Sequence, residues 1–251
     1  NAGAPMFVAT DDTGTRQPIS SRLTVGLNPS NFGTWVFFGT GRFMTVGDVS
    51  DRSVQSLYAI RDTGAPAART SLVRRQTSLV STSSGRLVRS FQNNTPLPLT
   101  VTVNGNPVPT RGWYINLLEP PNQTAIGERV VSEVQVINRD MVVASIIPTA
   151  DACQSDGRGY INALDAFTGT SSSSGSFFDL DGDGNFDDEV IGPDGNRQPI
   201  GSVDTGVGMP TLPNLLRELA VVGGSTGGTG SVRTRDGRFS GRVSWREGVQ
   251  E

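Results

Sequence analysis

Apolar residues in this chain come in short runs, separated by polar stretches rich in glycine and proline. Such runs read as β-strands. They cover residues 6–9, 23–27, 35–38, 56–60, 72–75, 87–91, 99–103, 113–117, 130–137, 141–147, 160–164 and 241–245. Some alternate apolar with polar, the mark of a sheet with one wet face. The Phe-rich run 35–38 is continuous and reads as a buried central strand rather than a recognition patch. The segment Val101-Thr-Val-Asn104-Gly105-Asn106-Pro-Val108 reads as a tight hairpin, because Asn-Gly supplies the positive φ angles of a two-residue turn. Helical spacing is confined to residues 212–220, where Leu212, Leu215, Leu216, Leu219 and Ala220 recur at the period of a short helix. Residues 171–174 and 223–230 are polar loops. The fold class predicted is all-β with long loops.

A unit recurs within this pattern. Val36-Phe-Phe-Gly39 is followed, after a loop, by Leu57-Tyr-Ala-Ile-Arg-Asp-Thr63-Gly64; Val142-Val-Ala-Ser145 is followed by Ile161-Asn-Ala-Leu-Asp-Ala-Phe-Thr168-Gly169. An apolar strand, a loop and a strand closing in Thr-Gly are used twice. The copies are spaced as if two propeller blades apart, at about 40–50 residues per blade. Ala163-Leu-Asp-Ala-Phe-Thr-Gly169 resembles the blade turn of quinoprotein-type β-propellers. The expected architecture is part of a quinoprotein-like modified β-propeller, about three blades plus insertions. Residues 1–251 would form its C-terminal part, a piece of a larger chain.

Composition narrows the function classes. The 251 residues hold 31 glycines and 15 prolines, with 18% charged residues. All 21 basic residues are arginine and there is no histidine, which removes the commonest general base and metal ligand. A net charge of −3 argues against binding a nucleic-acid backbone, so no nucleic-acid partner is expected. No apolar run reaches the length of a membrane span. Cys153 stands alone and has no partner for a disulfide within the chain. Arg74, Arg75, Arg86 and Arg89 read as a solvated strand face.

The chemistry concentrates in Asp179-Leu180-Asp181-Gly182-Asp183-Gly184-Asn185-Phe186-Asp187. Carboxylates at positions 1, 3, 5 and 9, glycine at 6 and the carbonyl of Asn185 at 7 match a loop that folds its oxygens around one hard cation. Without a cation these carboxylates repel one another. Calcium suits them better than magnesium, which demands a strict octahedron. The candidate metal ligands are therefore Asp179, Asp181, Asp183, Asn185 and Asp187. Position 12 is Val190 rather than a bidentate glutamate, leaving Glu189 or Asp188 to substitute. The flanks read as strand, so this is a calcium-stapled turn between strands. The bland alternative is an Asp-Gly turn without metal.

Several stretches in order resemble the PilY family of type IV pilus tip adhesins and assembly proteins. They are Gln17-Pro-Ile-Ser20; Val36-Phe-Phe-Gly-Thr-Gly-Arg-Phe43 with Gln55-Ser-Leu-Tyr-Ala-Ile60; Gly112-Trp-Tyr-Ile-Asn-Leu117; Gly127-Glu-Arg-Val-Val131; Ile161 to Gly169; the acidic loop; Gly223-Gly-Ser-Thr-Gly-Gly228; and Gly241-Arg-Val-Ser-Trp-Arg-Glu247. The resemblance implies a modified seven-bladed propeller without the quinone, bound Ca2+, secretion, and display at the pilus tip or outer surface of a Gram-negative bacterium. It implies minor pilins, the N-terminal remainder of the chain and host or abiotic surfaces as partners. It also implies a part in pilus assembly, adhesion and the balance of extension and retraction. Two rivals stand beside it. A quinoprotein-like enzyme needs a flat aromatic floor, whereas Trp35, Trp113 and Trp245 are scattered among strands and read as core. A generic calcium-stabilised extracellular binding module fits the loop equally well. The chain is expected not to be an enzyme.

Overall fold

The computed structural model describes residues 3–149, 157–192 and 195–235. In chain order its strands are β1 (Thr24–Leu27), β2 (Thr34–Gly39), β3 (Ser56–Arg61), β4 (Val73–Arg75), β5 (Thr77–Ser83), β6 (Arg86–Phe91), β7 (Thr100–Val103), β8 (Asn106–Pro109) and β9 (Gly112–Asn116). There follow β10 (Gln135–Ile137), β11 (Asp140–Ile147), β12 (Arg158–Asp165), β13 (Phe178–Asp179), β14 (Glu189–Ile191), β15 (Arg197–Val203), β16 (Asn214–Leu216), β17 (Leu219–Gly223) and β18 (Thr229–Thr234). The helix among the described residues is limited to single 3-10 turns at Val46–Val49 and Arg69–Ser71.

Three large sheets result. The first runs β1-β2-β3-β9-β4, the second β10-β11-β12-β15-β6-β5 with β14 paired to β15, and the third β13-β18-β17-β16. Among the described residues all ladders are antiparallel except β4 on β9. The β5–β6 hairpin leaves the neighbourhood of the first sheet and extends the second, where β6 pairs with β15. No strand among the described residues joins the third sheet back to the first.

The sheets are layered around three apolar clusters. Trp35 and Phe37 of β2, Leu57 and Ala59 of β3, and Trp113 and Ile115 of β9 face Met141 and Val143 of β11, with Phe167 beyond the end of β12. The other face of the second sheet gives Val142, Ile161, Ala163 and Ile200 to a cluster with Phe178, Ala220, Val222 and Val232 of the third. Phe38, Tyr58, Ile60 and Tyr114 face outward from the first sheet and are covered by Met6, Phe7 and Ala9. Adjacent residues of β2 and β11 thus enter different cores. This is why those strands read as continuous apolar runs rather than as alternation.

The repeated unit forms a strand pair in both copies: β2 pairs with β3, setting Phe37 opposite Ala59, and β11 pairs with β12, setting Val142 opposite Ala163. The copies are not two blades apart, because their sheets share the first core directly. The Asn104-Gly105 hairpin forms with φ of 50° and 80° at its two turn residues.

Four expectations need correction. Residues 212–220 are not a helix but the β16–β17 hairpin, with Leu215 opposite Ala220 and Leu216 opposite Leu219. Arg217 turns the chain with φ 54°, and β18 supplies β17 with a second ladder that a helix would forgo. Residues 6–9 form no strand; they lie across the first sheet, Met6 accepting a bond from Ala67 N–H (2.8 Å). Of 130–137 only β10 is strand, while Val130 and Val134 fill the first core. The arginines do not share one solvated face: Arg75 and Arg89 are buried. The 241–245 segment, Trp245 and Cys153 lie outside the described residues.

Candidate metal centre

The acidic loop hangs between two strands anchored in the second core. Phe177 and Phe178 bury there before it and Val190 after it, which explains the apolar residue at position 12. β13 pairs with β18 in the third sheet, while β14 pairs with β15 in the second. The loop therefore leaves one sheet and returns in the next. Ser176 N–H donating to Phe186 O (2.9 Å) closes its neck.

Within the loop each carboxylate has a distinct setting. Asp179 is buried; its Oδ1 accepts from Gly182 N–H (2.7 Å) and its Oδ2 from Gly184 N–H (3.1 Å). The second bond needs the chain to turn back at Gly184, whose φ of +87° favours glycine. Asp188 accepts at Oδ2 from Leu180 N–H (2.7 Å), and Asp181 accepts at Oδ1 from Asp183 N–H (3.1 Å). One oxygen from each of Asp179, Asp181 and Asp188 lies within 4.8 Å of the others.

The sequence-derived ligands divide accordingly. Asp179 and Asp181 converge. Asp188, one of the two substitutes for position 12, joins them; Glu189, the other, pairs with Arg197 at 3.6 Å. Asp183 is turned onto Asn185, accepting from its N–H (2.7 Å) and its Nδ2 (2.8 Å), bonds that hold the Asp183 carboxyl below its ordinary value. Asp187 is exposed and lies outside the three-carboxylate group.

The donors suit a hard cation. They are all carboxylate oxygen, the set that calcium, magnesium or manganese accepts and that zinc or copper does not select. Burial pushes the Asp188 carboxyl up despite the Leu180 N–H bond, and the charges of Asp181, Asp179 and Asp187 add to the rise. A bound cation would reverse that penalty. Sequence reading missed one charged neighbour, Arg233, which reaches Asp179 Oδ2 at 3.3 Å. Its place depends on the β13–β18 pairing, which no local pattern in the loop announces.

No protein-family model matches the chain. Individual relatives do. A type IV pilus biogenesis factor PilY1 homolog of Xylella fastidiosa is 31% identical over 251 residues, covering 97% of this chain and 19% of that protein. The type IV pilus biogenesis factor PilY1 of Pseudomonas aeruginosa is 27% identical over 182 residues, covering 66% of this chain and 15% of its own length. The chain thus spans a fifth or less of these relatives. Among solved structures, the C-terminal domain of Pseudomonas aeruginosa PilY1 superposes with a TM-score of 0.71 at 23% identity, covering 92% of this chain and 48% of that one. By sequence and by fold, the chain belongs with the PilY1 proteins and corresponds to part of their C-terminal domain.

Proposed function

We propose that this chain is a calcium-binding, non-enzymatic part of a secreted type IV pilus biogenesis factor, supplying consecutive blades of its C-terminal propeller. The three stacked sheets support the propeller reading. The relatives' names, type IV pilus biogenesis factor, support the pilus role; minor pilins are the proposed partners and the pilus tip or outer surface the proposed location. The observation that carries the calcium reading is the convergence of Asp179, Asp181 and Asp188 on a loop strung between two sheets. Those carboxylates hold the ion; on binding, Asp183 leaves Asn185 and Asp187 turns inward, and with the carbonyl of Asn185 they complete its oxygen shell. Calcium supplies charge neutralisation and a fixed geometry; the loop then holds the second and third sheets in one orientation. Calcium occupancy favours the arrangement used in pilus extension, and its loss favours retraction. Adhesion to host or abiotic surfaces follows from display at the tip. A quinone-dependent enzyme gains no support, because Trp35 and Trp113 are packed in the first core and offer no aromatic floor.

Calorimetric titration of the metal-stripped chain with calcium tests the site. One-site binding is expected, lost in Asp179→Asn and Asp188→Asn. Absence of heat and of any thermal shift up to millimolar calcium would reduce the loop to turn chemistry. Introducing the same substitutions into the full-length protein tests the function: piliation and twitching are both expected to change.

A further inference from the structure

The register of β13 on β18 sets Arg233 directly opposite Asp179. The Arg233 Nη1 lies 3.3 Å from Asp179 Oδ2 and 3.5 Å from the Gly182 carbonyl. Its Nη2 lies 3.7 Å from Glu218 Oε2, in the two-residue turn between β16 and β17. The two acids differ in kind. Asp179 has a fully buried side chain, so its charge needs a fixed partner, whereas the side chain of Glu218 is 63% exposed and keeps its hydration. A guanidinium therefore sits on an oxygen of the same carboxylate that would ligate the metal, with a second acid within reach.

We propose that Arg233 is the built-in counter-charge of the acidic loop. It neutralises Asp179 when no metal is bound, competes with calcium for the Asp179 carboxylate, and sets the loop's affinity. The inference rests on the calcium reading above. A unit positive charge beside a divalent ion raises the energy of the bound state, and the ion and the guanidinium draw on the same carboxylate, whose Oδ2 already accepts from Gly184 N–H. Glu218 keeps the exchange inexpensive: as calcium takes Asp179, the guanidinium retains an ion pair at the neighbouring turn. Arg233 thereby connects occupancy of the loop to the β16–β17 hairpin of the third sheet. An arginine rather than a lysine serves this role, because its fork addresses two carboxylates and a carbonyl at once.

The test compares calcium itself on metal-stripped wild type, Arg233→Gln and Glu218→Gln, by calorimetry and thermal melting at one ionic strength. Removing a half-exposed unit charge at this distance should tighten calcium binding in Arg233→Gln by about tenfold. The same variant should melt lower than wild type without metal, and the gap should narrow in saturating calcium. Calcium binding by wild type with an unchanged dissociation constant in Arg233→Gln overturns the proposal while leaving the calcium site standing. Absence of binding in wild type overturns both. Should Arg233→Gln fail to fold, Glu218→Gln decides: with Arg233 confined to Asp179, calcium binding is expected to weaken, and an unchanged constant overturns the proposal.

Discussion

Arg89 carries its charge into a place water does not reach. Its guanidinium grips both oxygens of Glu128 (2.6 and 2.8 Å) and Asn162 Oδ1 (2.8 Å), and it lies 3.7 Å from the centroid of the Tyr160 ring. Asn162, Ser202 and Arg89 stand side by side on β12, β15 and β6. Ser145 adds a bond to Glu128 (2.6 Å), and Ser202 one to Asn162 (2.7 Å). The group fastens the β5–β6 hairpin to the second sheet and to the segment preceding β10. Arg89→Met is expected to lower unfolding stability by about 3–5 kcal/mol, because it strands the Glu128 carboxylate without a counter-charge. An Arg89→Met, Glu128→Leu double variant should lose clearly less than the sum of the single changes. Denaturant unfolding of the set checks this, and strict additivity would show the pair to be uncoupled. None of it was legible in the sequence. An arginine at the polar phase of a strand looks the same whether that face meets water or another sheet, and the partners lie on separate elements.

The turn after β12 shows what the Asp-x-x-Thr-Gly sequence of the second copy accomplishes as an element. Asp165 Oδ1 accepts from the N–H groups of Phe167 and Thr168 (2.9 Å each), and Gly169 N–H donates to Asp165 O (2.9 Å). Gly169 has φ +70°, and a Cβ there would stand 2.4 Å from Cδ2 of Trp113, whose Nε1–H donates to Ala166 O. The turn of the second sheet is thus docked on an indole of the first. In the first copy, which shares only the closing Thr63-Gly64, Gly64 has φ +74° but open space around it. Gly169→Ala should therefore cost about 2–4 kcal/mol, from the left-handed backbone and the clash together, while Gly64→Ala should cost about 1 kcal/mol. Equal losses in thermal or urea unfolding would mean that the Trp113 contact carries no weight. At this scale the sequence was informative where strands are bounded by turn residues and carry contiguous apolar side chains, as in β2, β3, β11 and β12. It misled at residues 212–220, where a hairpin and a short helix both place Leu215 and Ala220 inward; only the ladder to β18 separates them. β5 and β15 escaped notice because serine, threonine and glycine dilute their apolar positions, and their pairing with distant β6 sustains them.

The molecule as a whole is a stack in which the acidic loop and the two described indoles occupy different interfaces. The loop spans the second and third sheets, whereas Trp35 and Trp113 lie between the first and second. The loop's spacing pointed to a candidate cation site, and the structure adds what spacing cannot: three carboxylates converge there, and the loop's two ends belong to different sheets. Strands β11 and β12 serve both interfaces, sending alternate side chains to each, so loosening one core disturbs the other. Energy gained at the loop should for this reason appear in the unfolding of the far interface. Calcium at about 100 times its dissociation constant adds about 2.7 kcal/mol to the bound state. For a chain of this size that corresponds to a rise in melting temperature of about 5–10 °C. In a Trp245→Phe background, fluorescence of Trp35 and Trp113 should report this rise, at the same midpoint as the loss of strand signal by circular dichroism. Calcium removal with a chelator should lower both together. If calcium shifted the circular dichroism midpoint and left the indole transition in place, the stack would unfold in parts, and the loop would steady only the sheets it touches.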